Sequence, residues 1–312
     1  MYDVIIVGGS YGGLAAALQL ARARRRVLVL DAGQRRNRFA RRSHGFLGHD
    51  GQPPEAIAAK GRTDVLAYAT VTWLEDLATE ARPIPGGFAV RTGSEEHQGK
   101  RLILATGVID ELPAIPGLAE RWGKTVFFCP YCDGYEFELG RLGVLATTSA
   151  SQHFAVLVSE WAAVGQTTLF LNGTIEPDAA QLDDFESRGI RVEREPVVSA
   201  TGDATEIALR LRDGRTSTLN GVFLLPRTHL LTPFAEQLGC ELEMGPLGPF
   251  YKTDATKETT VPGVFACGDA ALPMPAVAFA VADGTRAGGA AHQSLIFRRG
   301  LSVAAPSTVK AP

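Results

Sequence analysis

The beginning of the chain carries the pattern that most restricts its fold. A short apolar run at residues 3–7 leads into a glycine-rich turn, an Ala- and Leu-rich stretch follows, and a second apolar run at residues 27–30 ends in Asp31. The turn consists of Gly8, Gly9, Ser10, Tyr11, Gly12 and Gly13. This order predicts a strand, a helix and a parallel strand, which together form the unit that binds a dinucleotide.

Each part of this turn has a physical task. Gly8 allows the tight turn, and Gly13 lets the helix pack close to the strand. The helix N-terminus offers free N–H groups and the positive end of the helix dipole to a pyrophosphate. Asp31 is placed to accept hydrogen bonds from a ribose diol and would repel a 2′-phosphate, which favours FAD or NAD over NADP. Ser10 replaces the middle glycine of the usual pattern, so the backbone approaches a ligand slightly less freely there.

Composition excludes several classes of protein. With 312 residues, 45% of them hydrophobic and 21% charged, the chain has enough residues for two domains with hydrophobic cores. Its 31 Lys and Arg against 34 Asp and Glu give a net charge of −3, which predicts no attraction to nucleic acid or to an anionic membrane. No stretch is long and apolar enough to span a membrane, and no secretory signal precedes the first apolar run, so we expect a cytoplasmic protein.

Further along, residues 71–107 alternate apolar and polar side chains around a Pro- and Gly-rich turn at residues 83–87, which predicts an antiparallel hairpin. The last strand of this region ends in Ala105, Thr106 and Gly107, whose small side chains let the backbone pass close beside a cofactor. Residues 111–117 predict a domain boundary. Residues 261–269 predict a strand that ends in Gly268-Asp269, followed by a helix at residues 276–295 and a disordered tail at residues 302–312.

A second strand–helix–strand unit is predicted from Gly143 onward, with its helix continuing through Trp161. Ala146, Thr148 and Ser151 stand where a nucleotide-binding turn would have glycines, and no arginine follows the second strand to hold a 2′-phosphate. We expect this unit to keep the topology and to have lost the binding of a pyridine nucleotide.

The closely spaced Cys129 and Cys132 predict redox chemistry. In a reducing compartment such a pair is catalytic or binds a metal, but zinc needs four ligands and the sequence offers no second cysteine pair or neighbouring histidine pair. A two-residue spacer at a helix start lets the two sulfurs close a small ring, and the helix dipole would stabilise a thiolate. Cys240 and Cys267 stand alone and are expected to be small buried hydrophobic residues.

In this order the glycine turn, Ala105-Thr106-Gly107, the Cys129-Pro130-Tyr131-Cys132 pair followed by Asp133-Gly134, and Gly268-Asp269 resemble the low-molecular-weight thioredoxin reductases over nearly the whole chain. The resemblance implies an α/β fold of two Rossmann-like domains of the nucleotide-binding type, each with three ββα layers. It implies a discontinuous FAD domain from residues 1–115 and 237–312, with residues 116–236 inserted as a central domain that carries the cysteine pair. It also implies a homodimer.

The resemblance further implies roles for individual residues. Cys132 would lie next to the flavin and exchange electrons with it, Cys129 would form a mixed disulfide with the substrate, and Asp133 would donate or accept the proton. Asp269 would bind the ribityl chain, Asp31 and Asn37 would hold the adenosine side, and the backbone at Ala276 and Val277 would contact the ring edge. The complete predicted FAD site is Gly8, Ser10, Tyr11, Gly12, Gly13, Asp31, Asn37, Ala105, Thr106, Gly107, Gly268, Asp269, Ala276 and Val277.

The central domain departs from the family because the NADPH glycine turn and a His-Arg-Arg segment are both missing. In this respect the chain is similar to the ferredoxin-linked reductases and to the dithiol oxidases of the gliotoxin and holomycin type, although those oxidases usually carry His where this chain has Asp133. We therefore predict an FAD-dependent thiol–disulfide oxidoreductase that is not driven by NADPH. The substrate would be a thioredoxin-like protein or a small dithiol or disulfide.

Several alternatives stay open at this stage. The enzyme could be an oxygen-dependent oxidase of a small dithiol, a redox sensor without enzymatic activity that uses the basic loop at residues 35–42 as its partner surface, or a reductase that binds NADPH through other contacts. His44 and His49 could relay protons to the flavin or to a peroxide, but a surface or FAD-contacting loop is the favoured interpretation. No metal is expected.

Overall fold

The computed structural model describes residues 1–93 and 95–298. The tail predicted to be disordered, residues 302–312, lies outside the described residues. The helices are α1 (Tyr11–Arg22), α2 (Pro54–Leu66), α3 (Pro130–Asp133), α4 (Ser151–Ser159), α5 (Ala179–Ser187), α6 (Phe234–Leu238) and α7 (Val277–Phe297). Short 3-10 turns occupy Arg36–Phe39, Ala119–Arg121, Tyr135–Phe137 and Gly268–Ala271.

The strands alternate with these helices along the chain. They are β1 (Tyr2–Val7), β2 (Val27–Leu30), β3 (Val71–Leu74), β4 (Ala78–Ile84), β5 (Gly87–Thr92), β6 (Glu95–Leu104), β7 (Val108–Glu111), β8 (Val126–Phe127), β9 (Leu142–Leu145), β10 (Thr167–Phe170), β11 (Ile190–Glu193), β12 (Val197–Gly202), β13 (Ile207–Leu211), β14 (Thr216–Leu219), β15 (Gly221–Phe223), β16 (Arg227–Leu230), β17 (Leu242–Met244), β18 (Pro249–Tyr251) and β19 (Val264–Ala266).

The chain divides into two compact units. Among the described residues, unit 1 contains residues 1–36, 55–109 and 228–298, and unit 2 contains residues 37–54 and 110–227. The segment at residues 37–54 groups with unit 2, although the sequence analysis placed it in the first domain. The functional assignment of residues 1–115 and 237–312 to FAD, and of residues 116–236 to a central domain, stays a prediction.

Unit 1 is built on a seven-stranded sheet. Strands β3, β2, β1 and β6 lie side by side in parallel, and β19 pairs in parallel with residues 102–104 of β6. The other half of β6, residues 95–99, pairs antiparallel with β5, which pairs with β4. The hairpin predicted around residues 83–87 is therefore confirmed, but β3 was wrongly included in it and is a parallel neighbour of β2.

The two faces of this sheet bury different partners, as the alternation of side chains along a strand requires. Val4 and Ile6 of β1 pack with the buried faces of α1 and α7. Ile5 and Val7 pack on the opposite side with side chains of the β4–β5 hairpin and of α6. Unit 1 thus has three layers: helices, parallel sheet and antiparallel strands.

Unit 2 repeats this architecture on a smaller scale. Its parallel sheet has the order β11, β10, β9, β15, β8, and α4 follows β9 as α1 follows β1. The antiparallel sheet β12–β13–β14 covers the other face, where Leu145, Phe170 and Leu209 share one core. The predicted second strand–helix–strand unit is confirmed, with β9 and β10 parallel.

Candidate active site

The glycine turn of unit 1 fits tightly against the end of β6. The Gly8 N–H donates to the Leu30 carbonyl at 2.8 Å, and the Gly8 backbone has φ of +104°. A Cβ at this position would lie 2.1 Å from the Ala105 carbonyl oxygen. Only glycine meets both conditions, because other residues strain at positive φ and this space is filled by backbone.

The N-terminus of α1 is open to an anion. Ser10 is the N-cap residue, yet its side chain makes no capping hydrogen bond, and the first turn has no acidic residue. The N–H groups at a helix start have no partners within the helix, so they point toward any ligand placed there. A Cβ on Gly12 would lie 3.3 Å from the Ala280 carbonyl oxygen and 3.6 Å from the Gly268 nitrogen. The predicted glycine turn therefore lies close to Ala105, Thr106 and Gly268.

Asp31 lies where the second strand of the unit ends. Its Oδ1 accepts hydrogen bonds from the N–H groups of Gly9 and Gly33, each at 3.2 Å. These two bonds hold the carboxylate beside the glycine turn. An uncapped helix start, a cradle that a Cβ would fill and an acid at the end of β2 fit the pyrophosphate and ribose of a dinucleotide.

The structure also places four other residues of the predicted FAD site: Asp269, Ala276, Val277 and Asn37. Asp269 forms an ion pair with Arg36 at 3.0 Å, and both side chains are less than one-fifth exposed. Ala276 is the N-cap of α7, and Val277 is its first residue. Asn37 groups with unit 2, and its predicted contact with the adenosine stays a prediction. The sequence analysis missed Arg36 as an individual residue, although the basic run at residues 35–42 marked its position.

In the corresponding turn of unit 2, the backbone N–H groups that a phosphate would need already donate to a side chain of the protein; we call this the closed turn. Ala146 donates its N–H to the Phe170 carbonyl at 2.9 Å, as Gly8 does to Leu30. Ser151 is fully buried, and its Oγ accepts from the N–H groups of Thr147 at 3.1 Å and Thr148 at 3.3 Å. A phosphate would need donors of this kind. After β10 stands the buried Leu171, at the position that Asp31 occupies after β2.

Cys129 and Cys132 form a disulfide, with 5.2 Å between their Cα atoms. Cys129 is the N-cap of α3, Pro130 occupies the first turn, and the Cys132 N–H donates to the Cys129 carbonyl at 3.1 Å. The predicted stabilisation of a thiolate by the helix dipole stays a prediction, and α3 has only 4 residues before a 3-10 turn follows. So short a helix aligns few peptide dipoles.

Asp133 follows the disulfide directly and is the most perturbed acid of this region. Burial raises its pKa to about 7, the negative charge of Glu136 raises it as well, and His44 opposes both effects. A carboxyl with such a pKa changes charge near neutral pH, which is what a general acid or base requires.

His44 lies on a loop of unit 2 and meets the residues that follow the cysteines. Its Nε2 is 3.3 Å from Glu136 Oε1, and its Nδ1 is 3.5 Å from Asp50 Oδ1. His49 instead contacts Gln52 at 3.3 Å and stacks on Phe46. The sequence analysis missed Glu136, because no pattern along the chain signals its contact with a loop some ninety residues earlier.

An aromatic pair lies next to the disulfide. Tyr131, between the two cysteines, is 70% exposed, and its ring meets the edge of Trp161 with centroids 5.0 Å apart. A Cβ on Gly134 would lie 2.7 Å from the Trp161 ring, so this glycine lets the indole pack against the turn after the cysteines. The sequence analysis gave Trp161 only as the end of a helix.

The remaining cysteines are buried, as expected. Cys240 contacts the Thr259 hydroxyl at 3.5 Å, and burial raises the pKa of the Cys267 thiol to about 12.

Within residues 1–93 and 95–298, no group of three or more His, Cys, Asp or Glu side chains is placed to hold a metal ion. In the same described part of the chain, no helix is long and apolar enough to cross a membrane.

Comparison with known proteins agrees with this geometry. The family model of the pyridine nucleotide-disulphide oxidoreductases matches residues 2–284. Thioredoxin reductase sirT from Leptosphaeria maculans is 31% identical over 307 residues, which cover 92% of each chain. Thioredoxin reductase tcpT from Claviceps purpurea is 31% identical over 304 residues, which cover 94% of each. The crystal structure of an oxidoreductase from Agrobacterium tumefaciens is 48% identical, covers 95% of this chain and 99% of its own, and has a TM-score of 0.91.

The expected resemblance, the α/β fold of two Rossmann-like units and the class of enzyme are thereby confirmed. FAD is the cofactor that this family and the thioredoxin reductases use. With a family match over most of its length and a disulfide in the predicted place, the chain belongs to the pyridine nucleotide-disulphide oxidoreductases and is a thioredoxin-reductase-like, FAD-dependent enzyme.

Proposed function

We propose that this enzyme passes electron pairs between FAD and the sulfur atoms of a substrate through Cys129 and Cys132, and that NADPH is not its reductant. The observation that carries the proposal is the disulfide followed directly by Asp133, whose pKa is raised to about 7. Each cycle of a disulfide needs two electrons and two protons, so a redox pair beside a group that titrates near neutrality meets both needs.

The exchange with substrate uses the two cysteines in sequence. In the reducing direction, the Cys129 thiolate attacks one sulfur of a substrate disulfide, and the other substrate sulfur leaves and takes a proton. Cys132 then loses its proton to Asp133 and attacks the Cys129 sulfur, which re-forms the disulfide and releases the second substrate sulfur as a thiol. In the opposite direction, a substrate dithiol reduces Cys129–Cys132 by the same bonds in reverse.

The cradle of unit 1 would hold the cofactor. FAD, when bound, supplies or accepts the electron pair of the cysteine disulfide. The N-terminus of α1 would hold the pyrophosphate, Asp31 the adenosine ribose and Asp269 the ribityl chain. We keep the other predicted contacts as part of this proposal: Gly8, Ser10, Tyr11, Gly12, Gly13, Asn37, Ala105, Thr106, Gly107, Gly268, Ala276 and Val277.

The closed turn of unit 2 supports the exclusion of NADPH. Ser151 already accepts the Thr147 and Thr148 N–H groups, so these donors are not free for a phosphate. The buried Leu171 has no oxygen for a ribose. Electrons would then come from a reduced protein or another flavin, or they would flow from a substrate dithiol to an acceptor such as oxygen.

The exposed Tyr131 supports contact with a substrate beside Cys129. A thioredoxin-like protein and a small dithiol or disulfide would both fit this chemistry. We further propose that the enzyme works as a homodimer in the cytoplasm, as the resemblance and the sequence analysis predict.

An anaerobic titration tests the electron source. The purified yellow protein would receive NADPH, NADH or dithiothreitol in turn, and the flavin absorbance would be followed before and after air is admitted. We expect bleaching by the dithiol but not by NADPH within seconds, with recovery in air if oxygen is the acceptor. Rapid bleaching by NADPH would contradict the proposal.

The variant Cys132→Ser tests the role of the cysteine pair, and Cys240→Ser is its matched control. We expect Cys132→Ser to retain FAD and to lose the bleaching of the flavin by dithiothreitol, whereas Cys240→Ser, which changes a buried cysteine outside the pair, should behave as the native chain. Unchanged thiol–disulfide turnover in Cys132→Ser would contradict the role of the pair.

A further inference from the structure

The loop at residues 37–54 and the turn after the cysteines are joined by charged side chains. The His44 imidazole is 20% exposed and lies between Glu136, 3.3 Å from Nε2, and Asp50, 3.5 Å from Nδ1. The Gly45 N–H donates to the same Asp50 carboxylate at 2.9 Å, which fixes this end of the arrangement within the loop. His44 is therefore held in place by one acid from its own loop and one from the cysteine segment.

Asp133 is the last residue of α3 and Glu136 lies three residues later in the 3-10 turn that follows, a spacing that brings side chains together on one side of a helical turn. His44 contacts Glu136, whose side chain is 47% exposed. Burial has the largest effect on the pKa of Asp133 and raises it; the charge of Glu136 raises this pKa further, and His44 lowers it. Asp50 is the further charged group facing His44.

We propose that His44 and Glu136 are positioning residues that control the charge of Asp133 in opposite directions, His44 favouring the carboxylate and Glu136 favouring the protonated acid. This inference rests on the proposed role of Asp133 as the proton donor and acceptor of the cysteine pair. The physical reason is that a cationic imidazole stabilises a nearby negative charge and a carboxylate opposes it.

Infrared spectroscopy of the FAD-loaded, oxidised protein tests the inference without turnover. The band of the protonated carboxyl, identified by its loss in Asp133→Asn, would be followed against pH. We expect His44→Asn to move its midpoint upward by roughly one pH unit and Glu136→Gln to move it downward by a similar amount, at the lower end of what one nearby charge produces. Asp50→Asn should move it upward by less, because it only loosens His44.

Two further variants separate charge from structure. His44→Gln keeps an N–H donor for Glu136 but has no charge, so the upward shift should persist in it. His49→Asn changes the neighbouring histidine, which contacts Gln52 and Phe46, and should leave the midpoint unchanged. Circular dichroism verifies that each variant is folded.

Shifts of the same sign in the His44 and Glu136 variants, or no shift in folded His44→Asn and His44→Gln, would overturn the inference. The proposed function fails separately. If Asp133→Asn kept native turnover at every pH, Asp133 would not handle the proton of the reaction, even though its infrared titration could still respond to His44 and Glu136.

Discussion

The two units share one architecture and differ at the turn after their first parallel strand. In unit 1 the turn has Gly8 at φ of +104° and an uncapped helix start, and an acid follows the second strand. In unit 2 the turn has Ala146 at the same place, and Ser151 accepts two backbone N–H groups. A nucleotide-binding turn offers N–H donors to its ligand, whereas donors that are satisfied within the protein contribute to its stability.

Unit 2 places its reactive groups elsewhere. The disulfide, the half-buried Asp133 and the His44–Glu136 contact all lie near α3 rather than at the carboxyl end of β9. The two units therefore share a topology while their candidate functional groups lie at different places in it, which is consistent with the general separation of fold and function.

The largest expected effect comes from Gly8→Ala in unit 1. The new Cβ would lie 2.1 Å from the Ala105 carbonyl oxygen, and alanine is strained at φ of +104°. We expect a loss of roughly 3 kcal/mol or more in the free energy of unfolding, together with loss of FAD. Urea unfolding and flavin content after gel filtration measure both; a stable yellow variant would show that the turn tolerates a side chain.

Asp133→Asn tests the half-buried acid that follows the disulfide of unit 2. The native pKa of Asp133 is raised to about 7, against roughly 3.9 in an unfolded chain. The folded chain therefore retains this proton between those values, so its contribution to stability is complete below about pH 4 and falls by roughly 2 to 4 kcal/mol as the pH rises to about 7.

The asparagine variant lacks this dependence, so it should be more stable than the native chain above pH 7 and similar to it below pH 4. Urea unfolding across this pH range provides the measurement. Asp183→Asn, at an exposed carboxylate of α5, is the control and should keep the native slope. Equal slopes in the native chain and Asp133→Asn would contradict the prediction.

Ser151→Ala opens the closed turn of unit 2. Two backbone N–H groups lose their acceptor, and we expect a loss of about 1 to 3 kcal/mol in the free energy of unfolding. Because Leu171 and the two residues after it, Asn172 and Gly173, still provide no arginine for a 2′-phosphate, NADPH should not bind to Ser151→Ala, and calorimetry would measure this. Ser149→Ala, at an exposed position of the same turn, should change stability by no more than about 0.5 kcal/mol. Binding of NADPH by Ser151→Ala would show that the Ser151 side chain alone prevents the turn of unit 2 from binding a nucleotide.

Ala146→Gly should have the smallest effect. The substitution gives unit 2 the residue that unit 1 has at Gly8, but it removes a buried methyl group and adds backbone freedom to the unfolded chain. We expect a loss of about 1 kcal/mol and no gain of NADPH binding. A stabilised variant would indicate that the turn of unit 2 is strained without glycine.

Local patterns predicted much of the fold because they act over short distances. The sequence predicted the glycine turn, Asp31 and the two strand–helix–strand units. These features are readable because glycines mark the turn at residues 8–13 and the spacing of apolar residues marks the strands and helices. The parallel pairing of β3 was missed because its alternation resembles that of the adjacent hairpin. The length of α3 was also missed, because the chain turns immediately after Asp133.

The sequence by itself determined the family, the cofactor class and the cysteine pair, because each depends on residues close together along the chain. Tertiary structure alone decided the surroundings of that pair: the grouping of residues 37–54 with unit 2, the contact of His44 with Glu136, the pairing of Arg36 with Asp269 and the use of Ser151 to close a turn. The pKa of Asp133 likewise depends on burial and on charges brought from a distant loop. Desolvation and Coulomb interactions act through space, so their outcome is set only when the chain is folded.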